Sequence, residues 1–238
     1  MAIEPDALAR SIKRLEQLNP VTAGLQASLD ASVTIVDELF GVSGAGLMLL
    51  SEDEILRYAA ASDEPGRQLE LIQEQAGEGP CVDAFERNDV VYCNDASADP
   101  RYPAFSRIAP GHGIGAVLGV PVGLSGGPIG TLNVYDTHPH EWGDIETNAI
   151  SAFTTVISAL LKVAARAGLA EETARHLQFA LDHRILIEQA KGILMERDAI
   201  DAVAAFERLR SVARSNRLKL AEVARSLVEG RPLERLGG

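Results

Sequence analysis

Arg184 and Lys191 lie seven residues apart in the stretch ALDHRILIEQAKGILMER (180–197). That spacing is two helical turns, so a helix turns both side chains the same way. They bring different chemistry. An arginine fork grips a phosphate through two hydrogen bonds and stacks on flat rings, whereas a lysine ammonium supplies a less directional charge. On a helical wheel Leu186, Ala190, Ile193 and Leu194 share an apolar face, and Arg184, Glu188, Lys191 and Met195 form a separate stripe. Gly192, beside that stripe, costs a helix about 0.8–1.0 kcal/mol relative to Ala, which points to close approach by another surface. The pattern predicts a contact surface, with a solvated charged face as the plain alternative.

A second set of residues surrounds the loop GEGPCVDA (77–84), where glycines and a proline run into a short helix with Cys81 in its first turn. Such a backbone can lie against a small ligand. Gly79, Pro80 and Cys81, with Asp95, Tyr102 and Phe105 from the following polar and aromatic loops, are the candidate pocket. Cys81 and Cys93 form neither a CxxC pair nor a zinc set, and His112, His138 and His140 make only a weak HxH pattern. Asp136 and Asp144 have no acid–base partner, and the chain has no nucleotide-binding glycine loop or nucleophile elbow. No cofactor or metal is identifiable; the expected occupant of the pocket, if there is one, is an unknown small molecule.

The elements that hold these residues divide the 238-residue chain into two modest domains. The net charge of −12 argues against a polyanionic partner until its distribution is read. Residues 1–174 carry 10 Lys+Arg against 25 Asp+Glu, which leaves 12 against 9 of the totals 22 and 34 for residues 175–238. A mildly basic tail on an acidic body permits nucleic acid at the tail. No apolar run approaches the ~20 residues of a membrane span, since Ser, Thr and Lys interrupt 150–165. The first 18 residues lack a secretory apolar segment, so the expected location is the cytoplasm, without a membrane partner.

Helical spacing predicts helices over 6–18 and 22–40, separated by Asn19-Pro20; residues 1–21 read as an N-terminal helical segment. Strands are expected at 42–50, 55–61, 90–93, 116–122 and 129–135, with a helix over 68–75 and hairpin turns at 51–54 and 125–127. Five or so mostly antiparallel strands flanked by helices make an α+β domain. From Trp142 the pattern is helical. Leu160, Val163, Ala167, Ala170, Ala174, Leu177 and Leu181 keep a heptad alternation, so 143–181 is expected to be a connecting coiled-coil helix that pairs two copies of the chain. The same helix is expected to continue into 180–197. Asp201 caps a second helix over 202–215, a third spans 218–229, and 230–238 is a flexible tail.

Two family resemblances emerge from these motifs. Residues 22–162, with GEGPC at 77–81, DPRYPAF at 99–105, Gly-Val-Pro-Val at 119–122 and Ile-Gly-Thr-Leu-Asn-Val at 129–134, resemble a GAF sensor domain. That resemblance implies a six-stranded antiparallel sheet with helices on its faces and a pocket beneath its loops, although many members have no known ligand. Residues 175–229 resemble the ANTAR family of RNA-binding antiterminator domains, through Arg184, the block Ala190 to Met195, Ala205-Phe206, Leu209-Arg210, Leu218, Val223 and Ala224. This implies an all-α three-helix unit that recognises paired RNA hairpins in leader transcripts, and so controls terminator read-through or access to a ribosome site. Arg184 and Lys191 are then the primary contacts, with Gly192 permitting close backbone approach; Arg197, Arg214, Arg217 and Lys219 are peripheral phosphate candidates, with a solvated surface charge as the plain alternative, and Ser215 with Asn216 supplies base-edge hydrogen bonds unless they only make a turn. Phe206 is assigned to the core.

Two rivals remain. Three short helices with a turn resemble a DNA-binding helix-turn-helix, but the last helix presents Lys219, Glu222 and Arg225 with no Gln or Asn set to read adenine. Some GAF-fold proteins resemble a thiol-dependent reductase of free methionine sulfoxide, for which Cys81 and Cys93 would serve. The expected class is a non-enzymatic, signal-responsive RNA-binding regulator acting as a homodimer.

Overall fold

The computed structural model describes residues 4–51, 55–124, 127–167, 172–216 and 218–231; the side chains of Leu124, residues 172–184 and Arg214 lie outside the description. Chain order runs α1 (Pro5–Glu16), α2 (Pro20–Ala23), α3 (Leu25–Phe40), β1 (Gly44–Leu50), β2 (Leu56–Ala61), α4 (Glu64–Ala76), α5 (Pro80–Arg87), β3 (Val91–Cys93) and α6 (Pro103–Ile108). It continues through β4 (Ala116–Leu124), β5 (Gly127–Asp136), α7 (Asp144–Arg166), α8 (Glu172–Asp198), α9 (Ala202–Asn216) and α10 (Leu220–Val228).

The strands form one antiparallel sheet in the order β2-β1-β5-β4-β3. The described residues contain five strands where the GAF resemblance implies six. Because side chains alternate across a strand, Leu47, Leu49, Leu118, Val120, Leu132 and Val134 face a layer built by α1, α3 and α7, while Met48, Leu50, Val117 and Tyr135 face α4, α5 and α6. With both faces covered, β1 is buried at every position, which is why GAGLMLL reads as continuously apolar. Glycine 24 breaks α2 from α3 at φ 88°, and Asn19 caps α2 by accepting from the Val21 N–H at 2.9 Å. α1 packs on α3 and α7, with Leu15 in their common core.

The third and smaller core belongs to α8, α9 and α10, where Ile187, Ala190, Leu194, Phe206, Leu209, Val223 and Leu227 meet. Asp201 caps α9 as expected, accepting from the Ala204 N–H at 2.8 Å.

The continuous connecting helix expected over 143–181 is corrected. α7 ends at Arg166 and α8 begins at Glu172; residues 168–171 lie outside the description. α8 then packs against α7, α3, β1 and β5. The physical reason is visible in α7. Leu160, Leu161 and Ala164 are committed to the sensor core, leaving Val163 exposed, so the start of the heptad is divided between two environments. Of the remaining heptad positions, the side chains of Ala170, Ala174, Leu177 and Leu181 lie outside the description. The length of α7 also needs a correction: its 23 residues are long and apolar enough, by composition, to cross a membrane. Here its apolar face is occupied, with Ile150, Phe153 and Ile157 sealed against the sheet domain.

Candidate functional site

The helical wheel of α8 is turned from the one its sequence predicts. Among its described side chains Ile187, Ala190, Lys191 and Leu194 are the buried positions, at i, i+3, i+4 and i+7, while Ile185, Ile193 and Met195 are exposed. Ile187 anchors the inner face in place of Ile193, with Leu186 partly buried at its edge, and this rotation carries Lys191 inward to 4 % exposure. Its alkyl stem packs in the core while Nζ donates to Glu188 Oε2 at 2.9 Å and stands 5.9 Å from the centre of the Phe206 ring. Gly192 is exposed, and an added Cβ would meet open space. The helix therefore presents bare backbone next to a lysine held back by an acid and a ring.

The other predicted contacts are distributed unevenly. Arg184 lies in α8, but its side chain, like those of Arg214 and Arg217, falls outside the description. Arg197 is exposed and donates to Asp198 at 2.8 Å, and Arg208 reaches the same carboxylate from α9 at 2.8 Å. Asp198 is held below the usual carboxylate range by these bonds, Arg197 first. Ser215 and Asn216 bond back to their own helix, to the carbonyls of Ser211 and Val212 four residues earlier. Lys219 is exposed, and its N–H donates to Glu222 at the start of α10. Sequence reasoning used Arg210 only as part of a family motif; its guanidinium donates to Glu86 of α5 at 2.8 Å and to Glu207 at 3.2 Å. A contact between residues 124 positions apart leaves no local pattern to find.

In the sensor, Cys81, Tyr102 and Phe105 come together in one sealed cluster with Pro80 and Gly79 at the start of α5. Gly79 is needed there at φ 144°, where a Cβ would also strike the Gln73 side chain. Gln73 bridges to Cys81 twice, accepting from its N–H at 2.9 Å and donating to Sγ at 2.7 Å. Tyr102 donates to Asp83 at 2.8 Å and rests edge-on to Phe105. Asp95 does not join them. It sits on the surface beside Tyr92 and Arg101, accepting from the Ser97 hydroxyl at 2.6 Å, a bond that lowers its carboxyl below the usual range.

A residue outside the predicted set occupies the centre of this face. Glu70 of α4 is fully buried and accepts from Asn133 Nδ2 of β5 at 2.7 Å. Its second oxygen, Thr131 Oγ1 and Asn133 Oδ1 have no hydrogen-bond partner among the described residues. Burial pushes the Glu70 carboxyl up to about 8, against the smaller downward pull of Asn133. A signal existed in the sequence: Gly66, Leu69, Glu70 and Gln73 fall on one helical face. Burial also raises both thiols, Cys81 well above its ordinary value with Glu70 as a second cause, and Cys93 to about 12. His140 bonds Glu146 at 3.1 Å and packs on Trp142, His138 lies at the surface, and no group of three His, Cys, Asp or Glu side chains fit to hold a metal is found among the described residues.

Comparison with known proteins places both halves. The GAF domain model matches residues 22–162 and the ANTAR domain model residues 175–228. Among solved structures, the GAF domain of an Acinetobacter phosphoenolpyruvate-protein phosphotransferase is 20 % identical, covering 70 % of this chain and 96 % of that one, with a TM-score of 0.54. Free methionine-R-sulfoxide reductase from Neisseria meningitidis, in complex with its substrate, is 18 % identical over 70 % of this chain and 96 % of that one, also at 0.54. A domain of a sensor histidine kinase protein from Sinorhizobium meliloti 1021 is 17 % identical over 60 % and 95 %, at 0.51. These likenesses establish the fold alone. No curated protein matches the chain. With more than half its length matched by one family model and its helical end by the other, the chain belongs to the GAF domain family and carries an ANTAR domain at residues 175–228.

Proposed function

We propose that the chain is a signal-responsive regulator in the cytoplasm that binds paired hairpin loops of a leader transcript, acting by antitermination or by control of ribosome-site access. The observation that supports this most is the ANTAR unit itself, in which the exposed backbone at Gly192 adjoins Lys191 and the basic residues of α8. Sequence-selective RNA recognition targets unpaired loop bases, and with Phe206 given to the core, stacking falls to arginine planes, Arg184 first. Few phosphates are neutralised per unit, so one unit binds weakly with a shallow salt dependence, and two linked units gain by avidity. The active species is a homodimer, which supplies the second linked unit. The sensor answers to an unidentified small molecule near Gly79, Cys81, Tyr102 and Phe105.

The test is retention of a pool of two-hairpin RNAs with randomised loops by the full chain. Wild type is expected to retain them, Arg184→Ala and Lys191→Ala to lose them; equal retention by all three overturns the assigned surface. Native mass spectrometry of the chain from its own cytoplasm reads dimer and retained ligand together. A thiol reductase reading is opposed by two buried thiols, both raised away from the reactive thiolate. Turnover of free methionine sulfoxide with a dithiol would reinstate it.

A further inference from the structure

α9 serves two partners at once. Its Phe206 belongs to the ANTAR core, yet lines the same groove as Leu56, Val82 and Phe85 of the sensor, and one turn later Arg210 reaches Glu86 on α5 at 2.8 Å. Gln73, whose amide holds Cys81 inside the sensor, also lines this groove. From these contacts we infer that the docking of α9 on α5 is a latch that holds the RNA-binding unit closed. This rests on the RNA-binding reading above.

Three features make the docked form incompetent. Lys191 is sealed, with its ammonium on Glu188 and over the Phe206 ring that the groove helps to position. Arg210 is engaged by Glu86 and Glu207. The docked unit also lies against a body with 10 basic and 25 acidic residues, whose field repels a polyanion. Undocking α9 frees the Phe206 edge, lets Lys191 turn outward, and carries the basic unit away from that field. α5 is the element that connects this latch to the sensor interior, since its first turn holds Cys81 and its last holds Glu86. A ligand that shifts α5 against α4 therefore acts on both ends of the same two-turn helix.

Burial raises the Glu86 carboxyl more than Arg210 lowers it, so the position is held by packing as well as by charge. Removing the charge and reversing it should then differ. The experiment is a spin-label distance in the full chain between Asp89→Cys and Ser211→Cys, both at exposed positions, beside retention of the two-hairpin RNA pool. Glu86→Gln is expected to keep the short, narrow distance of wild type. Glu86→Lys is expected to lengthen and broaden it and to raise RNA affinity roughly ten-fold, as expected when a minor competent state becomes the main one. Pairing Glu86→Lys with Arg210→Glu is expected to restore the short distance. A distance unchanged in Glu86→Lys overturns the latch, and a lengthened distance with unchanged affinity overturns its role in gating. If no variant, open or closed, retains RNA while the distances respond as expected, the RNA reading has failed and the docked contact stands.

Discussion

Glu70 in the sensor and Lys191 in the helical unit are both sealed from water, and the two regions accommodate them in opposite ways. Glu70 has an amide for a partner and no cation, so it keeps its proton up to about pH 8 and sits in the core as a neutral acid. Lys191 has a carboxylate partner, itself about a third exposed, and an aromatic face, so its charge stays one side-chain rotation from the surface. A sheet domain covered on both faces has no short way out for a charge. A three-helix unit with a small core does, and that difference suits one region to sensing from within and the other to contact from outside.

The largest expected effect tests the sensor side of this contrast. Glu70 is raised from 4.5 to about 8 on folding, so the folded chain binds more protons than the unfolded one between those values. Its contribution is complete below pH 4.5, falls as pH rises through the window and is gone above about 8, a loss of about 5 kcal/mol. Urea unfolding at pH 5 and pH 8 should show this slope in wild type and lose it in Glu70→Gln; the same slope in both would mean Glu70 is not the group responsible.

Next in size is Gly46→Ala. The new Cβ strikes the buried Glu70 carboxyl, and overpacking of this kind costs roughly 1–3 kcal/mol. Thermal unfolding of the sensor transition reads it, and an unchanged midpoint would show that the carboxyl can move.

On the helical side, Lys191→Met keeps the buried stem and removes the charge. We expect a fold near wild type by circular dichroism with RNA retention lowered about ten-fold, the loss of about 1.4 kcal/mol appropriate to one charge-assisted contact. Full retention would make Lys191 a packing residue alone, erasing the contrast with Glu70. The smallest effect is Gly192→Ala. Since the added methyl meets open space, the helix gains about 0.8–1.0 kcal/mol. If the bare backbone is needed for close approach, RNA binding falls while stability rises; a rise in stability with binding unchanged removes Gly192 from the surface.

Much of the sensor was legible in the chain. β1 announces itself because both faces of the sheet are covered, so its residues are apolar without interruption, and the glycines of GEGPC mark a turn whose φ of 144° no other residue takes easily. The start of α9 was legible for the same local reason, a side-chain cap at Asp201. Asp95 was misplaced in the pocket because lying in the same run of loops as Tyr102 and Phe105 says nothing about which way each loop turns. The wheel of α8 was misphased because apolar residues sit on nearly all sides of it, at Ile185, Leu186, Ile187, Ile193 and Leu194, so periodicity alone leaves the inner face undecided.

What the sequence by itself determined is therefore what depends on neighbours along the chain: strand and helix positions, caps, the acidic and basic halves, and the family motifs of both domains. Only the tertiary structure decided that Glu70 lies on Asn133, that Lys191 turns inward on Ile187's side of α8, and that Arg210 crosses to Glu86. Each of these joins groups brought together by the packing of separate elements. The free energy of burying or pairing a charge depends on what surrounds it in space, and a linear pattern carries that information only where the surroundings lie within a turn or two.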